Sequence, residues 1–378
     1  VKSVPFSDFM NNALYGESGY YMTDRNRFGR SGDFYTSAQV SPIFGRLLAL
    51  YLLKGAPSGE PLSLVEMGCG DGDLAVSLLL GFIALSDRTQ KIRYAGIDRS
   101  SVAIARTQER LKSALTVQCS GDRVEWLTCT SVDELMARDS TFRGAFLIGN
   151  EVLDALPCER LEVDLAKIPD KFANDSNVFV SRTVREGRVI ENHCGDGKSF
   201  AMTYTVQPHL NASAYAEAHV FPLVQSGHLS IEGVHQFEAP IFYRPFLQSI
   251  VNTLAPRTMI LLDYGGETVD VIGDDRPHGS LRGYLKHQLV SPLFSPGNVD
   301  ITYDVDFSHV CEILEGMGYF VEPLMRQGPF LMGIISNLDD ASRVIEEGEY
   351  AALKHLVMPG GLGDRFVVCV AHRDKPTV

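Results

Sequence analysis

The chain has 378 residues, 45% apolar and 21% charged, with a formal net charge of −13. That length buries a sizeable core, as one large domain with insertions or as two domains. The acidic balance argues against nucleic-acid binding, because nothing offsets phosphate repulsion, and no apolar run is long enough to span a bilayer. Seven cysteines, at 69, 119, 129, 158, 194, 311 and 369, never pair as Cys-x-x-Cys. This points to a reducing compartment and away from a zinc ribbon or a disulfide framework. The ten histidines form no His-x-x-x-His pair, so no metal is expected. No signal peptide is read, and a start at Val1 without Met fits a processed or trimmed chain. The expected location is the cytoplasm, or the mitochondrial matrix for a processed eukaryotic protein.

In chain order, residues 5–15 pattern as a short amphipathic helix with Ser7 or Asp8 available as its cap. A Gly/Tyr/Arg-rich loop runs from Gly16 to Thr36, and 40–53 is apolar at helical spacing. Next comes an apolar strand, 62–67, carrying Glu66 near its end. It turns through Gly68-Cys69-Gly70-Asp71-Gly72 into a helical run from Leu74 to Phe82. Strand, glycine turn and helix is how a doubly wound α/β domain brings backbone close to a nucleotide-like ligand. An acid followed by Gly-x-Gly-x-Gly fits S-adenosylmethionine (SAM); a dinucleotide turn more often reads Gly-x-Gly-x-x-Gly. The next strand, 92–97, is closed by Asp98, placed to bond both ribose hydroxyls of an adenosine. Glu66, Gly68, Gly70, Gly72 and Asp98 are therefore the expected cofactor contacts.

Further strands are expected at 123–128 and 145–149, with Asp122 or Trp126 near the adenine. A helix over 242–254 leads to a strand at 258–263. About eighty residues beyond a normal crossover separate the last two strands. Residues 158–237 alternate polar and apolar with Gly, Asn and Asp turns, and read as a small β-rich insertion. Residues 264–305, rich in Gly, Pro, His and Asp, read as a lid or substrate loop. A helix at 307–317, a strand at 319–322 and a closing strand at 365–371 complete the chain.

The residues also resemble a family. Ala13-Leu14-Tyr15, Gly19-Tyr20-Tyr21, Gly32-Asp33-Phe34-Tyr35-Thr36-Ser37 and Phe44-Gly45 strongly resemble the N-terminal signature of the MidA-like methyltransferases. The resemblance continues in order through Glu66 to Gly72, Gly149-Asn150-Glu151-Val152-Leu153-Asp154-Ala155-Leu156-Pro157 and Asp263-Tyr264-Gly265. It extends to Gly279-Ser280-Leu281-Arg282-Gly283-Tyr284, His287-Gln288, Asp304-Val305-Asp306-Phe307 and Gln327-Gly328. Two segments depart: Gly-Pro-Gly-Arg-Gly is here Gly68-Cys69-Gly70-Asp71-Gly72, and Thr-Ser-Pro-Glu is Thr36-Ser37-Ala38-Gln39. The resemblance implies a class I methyltransferase: a Rossmann-like, doubly wound α/β sheet with an N-terminal helical arm, a β-rich insertion and a lid region. The division expected is 1–58 for the arm, then a core of 59–157, 238–263 and 306–378. Residues 158–237 form the insertion and 264–305 the lid. The resemblance further implies SAM as cofactor, S-adenosylhomocysteine as product and, as in the mitochondrial complex I assembly factors of the family, a protein arginine as acceptor.

Asn150, Glu151 and Asp154 follow the fourth strand, at the edge where open α/β sheets place ligands. A guanidinium acceptor needs carboxylates there, so Glu151 and Asp154, with Asn150, are the candidate catalytic residues, and Asn150 is also a candidate cofactor contact. The alternative is that Asn150 and Asp154 cap a following helix. The resemblance adds Gly32, Asp33 and Thr36 as cofactor contacts. Tyr264, at the end of the fifth strand, either lines the acceptor pocket or is simply buried. Arg282, His287 and Asp306 in the lid region either clasp substrate or pair with each other, His287 having a structural or exposed role as its alternative. Fold does not fix substrate, so a small-molecule O-, N- or C-methyltransferase and a non-catalytic SAM-binding assembly factor stay open beside a protein-arginine methyltransferase. A homodimer is an assembly to be considered.

Overall fold

The computed structural model describes residues 3–24, 37–57, 59–117, 123–164, 176–194, 197–206, 208–230, 233–338 and 344–375. They form two compact units, Asp24–Val152 with Leu247–Asp263 and Leu314–Val378, and Val1–Thr23 with Leu153–Phe246 and Tyr264–Ile313.

The first unit is built on a sheet ordered Phe320–Val321, Phe366–His372, Thr258–Gly266, Phe146–Asn150, Leu62–Met67, Ile92–Ile97, Val124–Cys129. The five strands from Thr258–Gly266 to Val124–Cys129 run parallel. The inner ones read as near-continuous apolar runs because both faces are covered, as in Leu62–Met67 and Ile92–Ile97. Each large side chain fully buried there, such as Leu64, Tyr94 or Ile148, contributes about 1.5–3 kcal/mol. The chain steps outward from Leu62–Met67 to Val124–Cys129, then returns to the other side of its starting strand at Phe146–Asn150. Strand order therefore reverses between Leu62–Met67 and Phe146–Asn150, and a crevice for ligand opens at their carboxyl ends.

The helix expected over 40–53 is broken into Ser37–Val40 and Ile43–Lys54. Pro42 is the cause: it lacks an N–H and disfavours helical backbone at Ser41. Ile43–Lys54 lies close against Asp73–Leu85, since a Cβ on Gly45 would fall 2.6 Å from the Cβ of Ser77 and one on Gly81 2.9 Å from that of Ala49. The strand expected at 319–322 shrinks to Phe320–Val321, and the remaining core strands fall within three residues of their expected ends.

The second unit contains an antiparallel sheet ordered Ser3–Pro5, Val184–Cys194, Glu159–Asp164, Val234–Ala239, with Gly197–Thr205 also paired to Val184–Cys194. The insertion is thus not simply β-rich. It also carries helices Ser176–Thr183, Leu210–Tyr215 and Phe221–Ser226, the last two joined by a π-helical turn, Ala216–Val220. Ala212, Tyr215, Ala216, Val220 and Val224 recur at helical spacing and pack with Leu161 and Phe237 in one core. Helix Phe6–Tyr15 has no side-chain cap. Ser7, expected to cap it, instead donates its N–H (3.3 Å) and its hydroxyl to the buried carboxyl of Glu159. Burial lifts that carboxyl to about 7 against the two bonds from Ser7.

Residues 264–305 are not an irregular loop. The stretch carries helix Thr268–Ile272 and a three-stranded antiparallel sheet, Gln288–Val290, Arg282–Leu285, Asp300–Thr302. Lys286 and His287, at φ +50° and +60°, make the two-residue turn of a hairpin in which Leu285 pairs with Gln288. No described helix is long and apolar enough to cross a membrane.

Candidate active site

The glycine turn sits at the carboxyl end of Leu62–Met67. Gly68, Gly70 and Gly72 have φ of +67°, +52° and +86°, the left-handed region that side chains disfavour. A Cβ on Gly68 would stand 2.7 Å from Cγ2 of Val152, so the turn also needs the missing side chain for space. Its backbone is tied on both flanks. Gly68 N–H donates to Ile97 O (2.7 Å), Gly70 N–H to Asp98 Oδ2 (3.0 Å), and Thr107 Oγ1 to Gly70 O (2.8 Å). Asp98 takes Ser100 N–H (2.8 Å) on its other oxygen. These bonds fix the Asp98 carboxylate beside the glycine turn. Asp71, where the family pattern has Arg, is paired instead with Arg106 (3.1 Å to each oxygen), which also holds Asp24 (2.5 Å).

Glu66 is buried beneath this turn, and Tyr94 O–H donates to its Oε2 (2.7 Å). Burial raises its carboxyl to about 8. The Tyr94 bond opposes that rise, and the charges of Asp98 and Asp73 add to it. A buried acid poised near neutrality beside a ligand turn suits a cationic ligand, which would favour its ionised form.

Across the strand-order reversal, Phe146–Asn150 ends in Asn150 and Glu151 follows it. Glu151 has φ +55°, a strained value for a residue with a side chain, costing on the order of 1–3 kcal/mol. The surroundings enforce it: Glu151 N–H donates to Leu262 O (2.8 Å) and Val152 N–H to Oδ2 of buried Asp263 (3.1 Å). The Glu151 side chain is oriented as well, its Oε1 accepting from Asn150 Nδ2 (2.9 Å) and Ser37 N–H (3.3 Å). Ser37 is fixed in turn by Gln327, which is fully buried and anchored to Leu356 O (3.0 Å). Asn150 Oδ1 is buried with no hydrogen-bond partner among the described residues, an acceptor left for a donor the chain does not supply.

The structure thus brings together Glu66, Gly68, Gly70, Gly72 and Asp98, and joins Asn150 to Glu151. Gly32, Asp33 and Thr36, like Asp122, lie outside the described residues. No helix follows Asn150; 151–158 are turns leading to Glu159–Asp164, so the helix-capping alternative for Asn150 and Asp154 falls. Asp154 belongs to the second unit, where it is buried and accepts from Thr302 Oγ1 (2.6 Å). Burial raises its carboxyl above the ordinary range, with the Thr302 bond acting against it.

In the same unit Tyr264 lies 5.9 Å below the Arg282 guanidinium, and Arg282 pairs with Asp304 (2.5 Å). His287 is exposed at its hairpin turn. Asp306 is engaged in structural bonds. It is buried, accepts from Tyr215 O–H (2.7 Å) and Thr268 Oγ1 (2.9 Å), and caps helix Phe307–Gly316 through His309 N–H (3.2 Å). An Asp just before a helix is a cap signal, and here it outweighs the lid expectation. The sequence reading missed Tyr94, Asp263 and Gln327 as positioning residues. Gln327 and Asp263 stood inside family-like segments, whereas nothing local marks Tyr94.

A parallel sheet that reverses order at a positive-φ glycine turn, with an acid closing the next strand and an orphaned acceptor opposite, defines a class I SAM-dependent methyltransferase site. Residues 45–322 match the family Methyltransf_28, described as "Putative S-adenosyl-L-methionine-dependent methyltransferase", and the chain belongs to it. The residues present fit the cofactor: Asp98 for the ribose, the glycines for close backbone approach, and Asn150 Oδ1 for an ammonium donor. The chain is 26% identical to a Burkholderia thailandensis protein whose crystal structure holds S-adenosyl-homocysteine; the match covers 98% of this chain and 88% of that one, with TM-score 0.76. It is 24% identical to the mitochondrial protein arginine methyltransferase NDUFAF7 of Rattus norvegicus, over 96% of this chain and 79% of that protein. It is 25% identical to the Drosophila melanogaster homolog of NDUFAF7, over 98% and 84%. SAM is the cofactor of this enzyme.

Proposed function

We propose that the chain transfers methyl groups from SAM to an arginine side chain of a protein partner. The observation that carries the reading is Glu151: a carboxylate held at φ +55°, locked by Leu262 and Asp263, at the carboxyl edge where the sheet receives its ligand. The names of the relatives, protein arginine methyltransferases, support the acceptor class. When bound, SAM supplies a methyl group made electrophilic by its sulfonium. Glu66, Asp98 and Asn150 bind and orient that cofactor. Glu151 holds a guanidinium by charge-assisted hydrogen bonds and favours lone-pair density on the attacking nitrogen. In-line displacement then depends mainly on positioning, for which a backbone-locked carboxylate is suited. The proton the guanidinium sheds passes to Glu151 or to solvent.

The relatives named mitochondrial support a mitochondrial location. A homodimer is carried as the assembly to check by light scattering. The test of the acceptor is transfer of labelled methyl from SAM into a lysate of the source organism. Label in one protein band, recovered as methylarginine after hydrolysis, supports the proposal. Label confined to small molecules overturns it in favour of a small-molecule methyltransferase.

A further inference from the structure

The unit that contains Asp154 also holds a cluster of side chains that methyl transfer does not use. His219 stands on the π-helical turn Ala216–Val220, and His309 and Glu312 lie one turn apart on helix Phe307–Gly316. One donor atom of each lies within 4.8 Å of the other two. His219 Nε2 is 3.5 Å and His309 Nδ1 3.9 Å from Glu312 Oε2. Ligand atoms around a tetrahedral zinc stand about 3.3 Å apart, given metal–ligand bonds of about 2.0–2.1 Å. The first distance is near that spacing, and the others shorten toward it when an ion is bound.

A second observation points the same way. His309 Nδ1 is buried and makes no hydrogen bond among the described residues, although it faces a carboxylate. At 3.9 Å an ordinary His–Glu hydrogen bond is not formed, so simple pairing does not explain the arrangement. Tyr215 packs against both rings, 4.7 Å from His219 and 5.2 Å from His309, and fixes their planes. A π-helical turn re-aims the side chains it carries and recurs at functional sites. Glu312 is exposed, which leaves a coordination position open to water.

We propose that His219, His309 and Glu312 bind one divalent transition-metal ion of the zinc class, clipping the helical turn of the insertion to helix Phe307–Gly316. Two imidazoles and a carboxylate suit zinc rather than magnesium or calcium, which prefer all-oxygen ligands. Arg244 works against a cation there, and the carboxylates of Glu312 and neighbouring Asp306 work for it.

The test uses the untagged full chain, titrated with zinc in competition with a chromophoric chelator. One equivalent is expected, with affinity at least about tenfold weaker in both His309→Gln and Glu312→Gln. Glu312→Gln changes an exposed residue, so it reads the site even where a histidine variant folds poorly. Cys311→Ser should leave affinity unchanged, and cobalt in place of zinc should show ligand-field bands without sulfur charge transfer. Affinity for SAM should not move in any variant. Absence of zinc binding by the wild-type protein would overturn the proposal. So would equal binding by wild type and both site variants, or loss only in Cys311→Ser.

Discussion

Replacing Glu66 by Gln should stabilise the folded protein above neutrality while weakening its hold on the cofactor. Glu66 is 2% exposed, with Tyr94 O–H on its Oε2. Burial, partly opposed by that bond, lifts its carboxyl from an ordinary 4.5 to about 8 in the folded state. Between those values the folded protein keeps a proton that the unfolded chain has lost. Stability therefore falls as pH rises through this window, by about 1.4 kcal/mol per pH unit and on the order of 5 kcal/mol across it. Below pH 4.5 both states are protonated and the penalty vanishes. Gln carries no titrating proton, and its amide oxygen can still accept from Tyr94, so the variant loses this slope. Urea unfolding of wild type and Glu66→Gln from pH 5 to pH 8.5 should show the difference growing in the variant's favour by several kcal/mol. Calorimetry should show SAM binding to wild type strengthening as pH rises toward 8, because a cationic ligand selects ionised Glu66, with a flatter profile in the variant. A stability difference between the two proteins that does not change with pH would refute the reasoning.

Three further substitutions probe the site. Asp98→Ala should raise the SAM dissociation constant about ten- to hundredfold, the loss of a charge-assisted bond of about 1.5–3 kcal/mol, as read by calorimetry. Glu151→Gln should lower kcat at least about hundredfold while SAM affinity stays within a few fold, because the amide keeps the shape but not the charge. Gly68→Ala should lower stability by at least about 1–2 kcal/mol for a side chain at φ +67°, and more from the 2.7 Å approach to Val152; Val152→Ala should restore part of the melting temperature.

Much of the core was legible because its signals are local. An apolar strand ending beside an acid, then three alternating glycines, then an apolar helix, needed no partner to be recognised, and Asp98 followed from the next strand end. The break at Ser41-Pro42 was written in the residues as well, since proline restricts its predecessor. What could not be read lies in pairings remote in sequence. Asp154 and Asp306 look like site acids in isolation, yet Thr302, Tyr215 and Thr268 engage them in buried bonds. The helical half of the insertion was hidden because short amphipathic helices and strands share composition, and only packing of Tyr215 and Val220 against Leu161 and Phe237 separates them. His219 and His309 are ninety residues apart, so no spacing rule reaches them.

The most direct test of the cofactor site is a crystal structure with S-adenosyl-homocysteine bound. The geometry predicts ribose hydroxyls on the Asp98 carboxylate and the ligand's amino group within hydrogen-bond distance of Asn150 Oδ1. The Gly68–Gly72 backbone should lie against the ligand, and Glu151 should keep its positive φ. A cofactor that touches neither Asp98 nor Asn150 would contradict the account.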